Sequence, residues 1–198
     1  MKRFTCAVFA LTSVLAGIQP LPAQVQGQWT GTGAMQSTRE LDAQVRLISG
    51  RVLAMGGVDN SNTILSSAEV YNPGPGTWTL TGSMSAARNL FPAVVLTSGK
   101  VLVAGGEGQS ISCGKACTSY IPTAKADIYN EAAGKFTATS SLSRARAYHS
   151  ATLLGTGRVL VDGGVGYNAY CCIVLGSAES YTALTLTFSA STLTFGVF

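Results

Sequence analysis

The chain has 198 residues, of which 46% are hydrophobic and only 11% charged, with 23 glycines, one histidine and a formal net charge of +4. That length accommodates one domain with a buried core, and so small an excess of positive charge does not suit a nucleic-acid partner. Low charge, abundant Gly, Ser and Thr, and no long amphipathic helical pattern after the first two dozen residues predict an all-β domain.

Lys2 and Arg3 precede an apolar run from Phe4 to Ile18, which Gln19, Pro20, Leu21, Pro22 and Ala23 then break. Residues 1–23 read as a signal peptide cleaved near Ala23, since the run falls short of the about 20 apolar residues of a membrane helix. Leu15, Ala16 and Gly17 look like the start of a lipoprotein signal, but Ile18 stands where the lipid-bearing cysteine would have to be. Soluble export, to the periplasm or the medium, is therefore expected over lipid anchoring, with no membrane partner after cleavage. Loss of Lys2 and Arg3 brings the net charge to +2 and leaves residues 24–198 as the mature domain.

Within that domain one unit of about fifty residues occurs three times, and a period of that length marks a repeat architecture. Its core reads GRVLAMGG at residues 50–57, GKVLVAGG at 99–106 and GRVLVDGG at 157–164. Eleven residues before each leading glycine stand Arg39, Arg88 and Arg146, and fifteen before stand Met35, Met84 and Leu142. Downstream come Glu69 and Tyr71, Asp127 and Tyr129, Glu179 and Tyr181, each set followed by an aromatic at Trp78, Phe136 or Phe188. Each unit predicts four short strands: an apolar one after the arginine (residues 92–97 and 149–154 in units two and three), the Val-Leu-Val strand, the tyrosine strand and the aromatic strand.

The pattern resembles the kelch repeat, over roughly residues 27–190: a Met/Leu-x-x-x-Arg lead, a Gly-Lys/Arg-Val-Leu-Val-x-Gly-Gly core, a tyrosine, then Trp or Phe. The resemblance implies a β-propeller in which each repeat is one four-stranded antiparallel blade, here spanning about residues 36–82, 85–140 and 143–191. The Gly-Arg-Val-Leu-Val wording resembles that of secreted bacterial kelch proteins and of the propeller of galactose-oxidase-like enzymes. In this reading the double glycines Gly56–Gly57, Gly105–Gly106 and Gly163–Gly164 turn the backbone where a Cβ would clash. The arginines would bond backbone carbonyls between blades. Glu69, Asp127 and Glu179 would bond from blade to blade, with the repeat arginines as candidate partners.

Residues 28–35 align with 77–84, Trp29 standing forty-nine residues before Trp78, so they read as an orphan outermost strand with no first three strands upstream. Three blades are fewer than a propeller needs to close. The expectation is an incomplete chain from a longer propeller; the competing idea is a pair of chains closing a six-bladed ring.

Export makes disulfides the expected state of Cys113, Cys117, Cys171 and Cys172, which lie in matching insertions after the second and third double glycines. Three arrangements stay open: a bridge between the two insertions, local Cys113–Cys117 pairing with a vicinal Cys171–Cys172 ring, or a four-thiolate zinc site, the last poorly served by adjacent cysteines.

Catalytic groups are scarce. Galactose-oxidase-like enzymes bind copper with two His and two Tyr, whereas this chain has His149 alone, at a repeat position that it shares with Phe91 and Asp42 and that suits a structural hydrogen bond. No Gly-x-Ser-x-Gly elbow and no phosphate-binding glycine loop is present. The expected function is a non-enzymatic interaction module, without cofactor or metal, binding a protein or carbohydrate through the loops at residues 58–67, 107–125 and 165–176. Tyr120, Tyr167 and Tyr170 are its candidate contacts, unless they only cover the insertions. The alternative is the propeller portion of a radical-copper oxidase whose ligands lie elsewhere.

Overall fold

The computed structural model describes residues 27–112, 118–168 and 172–183, with backbone alone between 109 and 120. The leader, Cys113, Cys117, Tyr170, Cys171, Phe188 and the side chain of Tyr120 lie outside the described residues. Two units are distinguished, residues 1–31 and 32–198; of the first, residues 27–31 are described, carry no strand and expose Trp29.

Every element described in the second unit is a strand. β1 (Ala43–Arg46), β2 (Val52–Met55), β3 (Ala68–Asn72) and β4 (Thr77–Thr81) form an antiparallel sheet in that order, the first blade. In the second, β5 (Ala93–Val95) and β6 (Val101–Ala104) are followed by an inserted hairpin, β7 (Glu107–Ser112) with β8 (Thr118–Pro122). Then β9 (Ala126–Asn130) and β10 (Lys135–Thr139) complete its sheet. The third repeats the plan with β11 (Ser150–Leu153), β12 (Val159–Asp162), a hairpin of β13 (Val165–Tyr167) with β14 (Cys172–Val174), and β15 (Ala178–Tyr181). No helix among the described residues is long and apolar enough to cross a membrane.

Alternation along the strands explains why the Val-Leu-Val segments are apolar throughout: both faces of the middle blade are covered. Leu53, Met55 and Val70 of blade 1 pack in one core with Val101, Val103 and Tyr129 of blade 2. Val94, Leu102 and Ala104, alternating with those, pack in a second core with Val159 and Val161 of blade 3.

The double glycines sit where these blades meet. Gly56 and Gly105 have φ of +66° and +71°. A Cβ on either would lie 2.4 or 2.5 Å from the carbonyl oxygen of Arg88 or Arg146 in the next blade, so only hydrogen fits.

Residues 28–35 form no ladder. Thr32 and Gly33 nonetheless make the contacts of that position. Thr32 Oγ1 meets the Tyr71 hydroxyl at 2.6 Å, and Gly33 N–H donates to Gly76 O at 2.9 Å. Thr81 with Tyr129 (2.9 Å) and Gly82 with Gly134 (2.9 Å) do the same one blade later, as does Thr139 with Tyr181 (3.0 Å).

Candidate functional site

The repeat arginines arrive on the lead-in to each inner strand, and each bonds in two directions. The Arg88 main chain holds the preceding blade: its carbonyl accepts from Gly57 N–H at 2.9 Å and its N–H donates to Leu65 O at 3.1 Å. Its guanidinium turns into its own blade, donating to Gly105 O at 3.2 Å, Lys125 O at 2.6 Å and Asp127 Oδ2 at 2.7 Å. Arg39 reaches Gly56 O, Ser67 O and Glu69 in the same way, and Arg146 reaches Gly163 O, Ser177 O and Glu179. The expected bonding of arginine side chains between blades is thus corrected: the side chains bond carbonyls within a blade, and the main chain crosses the joint. The reason is reach, because the guanidinium runs inward from a lead-in that already lies on the neighbour.

The acids fasten the same lead-ins. Glu69 accepts from Gln36 N–H at 2.7 Å and Ser37 N–H at 3.0 Å, Asp127 from the Ser85 N–H and hydroxyl, and Glu179 from Ser143 N–H at 2.7 Å. Burial raises the Glu69 carboxyl, but the Arg39 guanidinium and the two backbone N–H groups outweigh it and hold the group below its ordinary value.

His149, 7% exposed, packs its ring against Gly105, where a Cβ would come within 2.6 Å of Cε1. Neither ring nitrogen meets full hydrogen-bond geometry with a partner, although the Ala104 backbone acts on the imidazole as an acceptor and favours its protonation. The structural role expected of His149 thus rests chiefly on packing, with the Ala104 backbone as its polar partner. Burial, then the nearby Arg146 guanidinium, push the imidazole down to about 4.

A different feature faces solvent. Leu41, Leu90 and Tyr148, each two residues after a repeat arginine, all have φ of +56°. Their backbones join blade to blade, Leu90 N–H to Leu41 O at 3.2 Å and Tyr148 N–H to Leu90 O at 3.0 Å. With Asp42, Phe91, Pro92 and His149 they line an open cavity of about 390 Å³ on the inner rim. Leu41 and Tyr148 are 51% and 60% exposed. Partial burial and the nearby Glu107 and Cys172 push the Tyr148 hydroxyl up, and burial pushes the Glu107 carboxyl up. Asn89, bridged to Glu107, leaves its buried Oδ1 without a partner. Sequence reasoning missed this rim, for which the fixed offset from the arginines was the available signal. A larger cavity, about 490 Å³ between blades 2 and 3, ends at Tyr181 and Thr182, on the border of the described residues.

The predicted loops fall on this side. Residues 107–122 and 165–174 are the two inserted hairpins, β8 lying against β13, and residues 58–67 form a loop closed by Asp59, which accepts from Ser61 and Thr63 N–H at 2.9 Å each. Tyr167 is half-buried in β13, and Cys172 is exposed at the start of β14. Among the described residues no three His, Cys, Asp or Glu side chains converge as a metal site.

A family model described as the kelch motif matches residues 42–85, from the start of β1 to the lead-in of the second blade. No curated protein matches the chain.

Two outcomes follow from this geometry. Arg88→Ala strands the Asp127 carboxylate in a fully buried site, and thermal unfolding should show a loss of about 3 kcal/mol or more. His149 is neutral in the fold and more basic when unfolded, so its contribution is complete above pH 6.5 and lost as pH falls toward 4. This amounts to at most about 3 kcal/mol. His149→Phe, the side chain that blade 2 uses at this position, should flatten urea-unfolding stability across that window and leave the carboxylate-dependent loss at lower pH.

Proposed function

From the premise that this is a kelch-repeat protein, we propose that it is an exported, non-enzymatic interaction module that binds a protein or carbohydrate at the inner rim and adjoining hairpins, and that it also associates with itself. One observation carries the binding reading: three bulky side chains, Leu41, Leu90 and Tyr148, stand at left-handed backbone positions that glycine or asparagine would fill without strain. Two of them put apolar surface into solvent around one cavity. Such strain at a rigid rim is a feature of binding sites.

The chemistry suits a ligand with an apolar face and hydroxyl or amide edges. Tyr148 offers a ring for stacking, Asp42 a carboxylate, and the Asn89–Glu107 pair a polar margin. The alternative, the propeller portion of a radical-copper oxidase, would take its ligands from elsewhere, since His149 is almost wholly buried in its packing against Gly105.

Export leads to oxidised cysteines, and the contact of β8 with β13 supports a bridge between the two hairpins over local pairing or zinc. Peptide mapping without reduction should recover one peptide from residues 113–117 joined to one from 171–172; separate local pairs would contradict it.

Binding is tested on an oligosaccharide array and a phage-displayed peptide library, with Tyr148→Ala and Leu41→Ala beside the parent chain. Retained ligands should lose about tenfold or more in affinity on truncation of Tyr148, as for an aromatic anchor. Ligands indifferent to both substitutions would place the site elsewhere.

A further inference from the structure

Both internal joints use the same four backbone bonds between a blade and the lead-in that follows it. Gly57 N–H donates to Arg88 O and Gly106 N–H to Arg146 O (2.9 and 2.8 Å). Arg88 N–H donates to Leu65 O and Arg146 N–H to Thr123 O (3.1 and 3.4 Å). Met84 N–H donates to Ser66 O and Leu142 N–H to Ala124 O (2.9 and 2.8 Å), and the rim bonds of Leu90 and Tyr148 make the fourth pair.

The matching groups on the far face of blade 3 are Gly164 N–H, Leu175 O, Gly176 O and Tyr148 O. Those on the lead-in of blade 1 are Arg39 O, Arg39 N–H, Met35 N–H and Leu41 N–H. Among the described residues none of the eight has a hydrogen-bond partner. Each donor on one surface corresponds to an acceptor on the other. We infer that the far face of blade 3 and the lead-in of blade 1 are the two halves of one joint, closed by a second copy of this chain. The inference gives the proposed self-association its residues and rests on that reading.

Three observations support it. Arg39 buries its side chain as completely as Arg88 does, yet the residue as a whole is only half-buried, because its main chain faces solvent; Arg88 and Arg146 are buried entirely. Gly163 keeps its neighbours' conformation, at φ +68°, but the nearest atom to a Cβ there is Leu175 O at 3.9 Å, leaving open the space that Arg88 and Arg146 carbonyls occupy over Gly56 and Gly105.

The outward rows have also changed character together. The rows Val45–Leu53–Val70 and Val94–Leu102–Ile128 become Thr152–Leu160–Ser180 on blade 3, with Asp162 where Met55 and Ala104 stand. On the near face of blade 1, Gln44 and Arg46 stand where blade 2 has Ala93 and Val95. An acid on one face and a base on the other, both exposed, suit a joint between separately folded chains better than two apolar faces would. Because the joint is head-to-tail, two copies about a twofold axis form it twice and close.

Light scattering on the purified chain, with Gly163→Asn and Asp162→Arg, tests this. Asparagine tolerates the left-handed backbone and has room in the single chain, but its Cβ would meet the incoming Arg39 carbonyl. The expected result is a dimer for the parent chain, and for each variant an unchanged circular dichroism spectrum with dimer dissociation raised about tenfold or more, the effect of disrupting an interface centre. A parent chain that stays monomeric would overturn both self-association and the joint. A dimer that survives both substitutions would overturn the joint alone, and an open series of oligomers would overturn its closure by two copies. Should Gly163→Asn unfold, the exposed Asp162→Arg decides.

Discussion

Everything in this fold hangs on the lead-in segment that crosses from one blade to the next and is bonded on both sides. Its main chain fills the groove over a double glycine, while its arginine side chain runs into the following blade and meets a buried acid. Taking a guanidinium and a carboxylate out of water is costly, and the Arg88–Asp127 pair at 2.7 Å offsets that cost through the added bonds to Gly105 O, Lys125 O and Ser85. The pair therefore acts as a register pin. It fixes where the lead-in lies on the neighbour, and the apolar cores then pack between surfaces already aligned.

The same constraint explains the inner rim. A chain held by its arginine must turn sharply to begin the inner strand, and it does so through a left-handed residue two positions later. The turn itself is architectural, since its backbone bonds link successive blades. What is not architectural is the choice of Leu and Tyr for a position that glycine fills more easily. Architecture and the proposed ligand surface thus share one residue at each repeat.

Much of this was legible in the sequence. The period, the Val-Leu-Val strands and the presence of insertions after the second and third double glycines follow from spacing, because residues that make the same contact in each blade must recur at the same offset; that the insertions, read as loops, pair into hairpins did not. The inner strands proved shorter than read, Ala93–Val95 against residues 92–97, since residues on either side serve the lead-in and the Leu96 turn. The direction of the arginine side chains was not legible, as offset says that Arg88 and Asp127 are equivalent to Arg39 and Glu69 but not which arginine meets which acid. Nor were the left-handed positions, because Leu41, Leu90 and Tyr148 carry none of the residue types that announce such a backbone. The polarity of the terminal faces became meaningful only once the strand registers were known: Thr152, Asp162 and Ser180 look unremarkable until they are seen on one face.

The crossing lead-ins also impose an order of events on the growing chain. Blade 1 has all four strands by Thr81, but the groove over Gly56 stays open until Arg88 and Phe91 arrive to fill it. Each blade is thus finished by residues that belong to its successor. Since the partners lie only some tens of residues apart, as Arg88 and Asp127 do at a separation of 39, closure can follow synthesis from the N-terminus without waiting for the far end. The repeat is in this sense a ratchet: every new lead-in that seats itself covers the groove behind it and holds its own arginine ready for the sheet ahead.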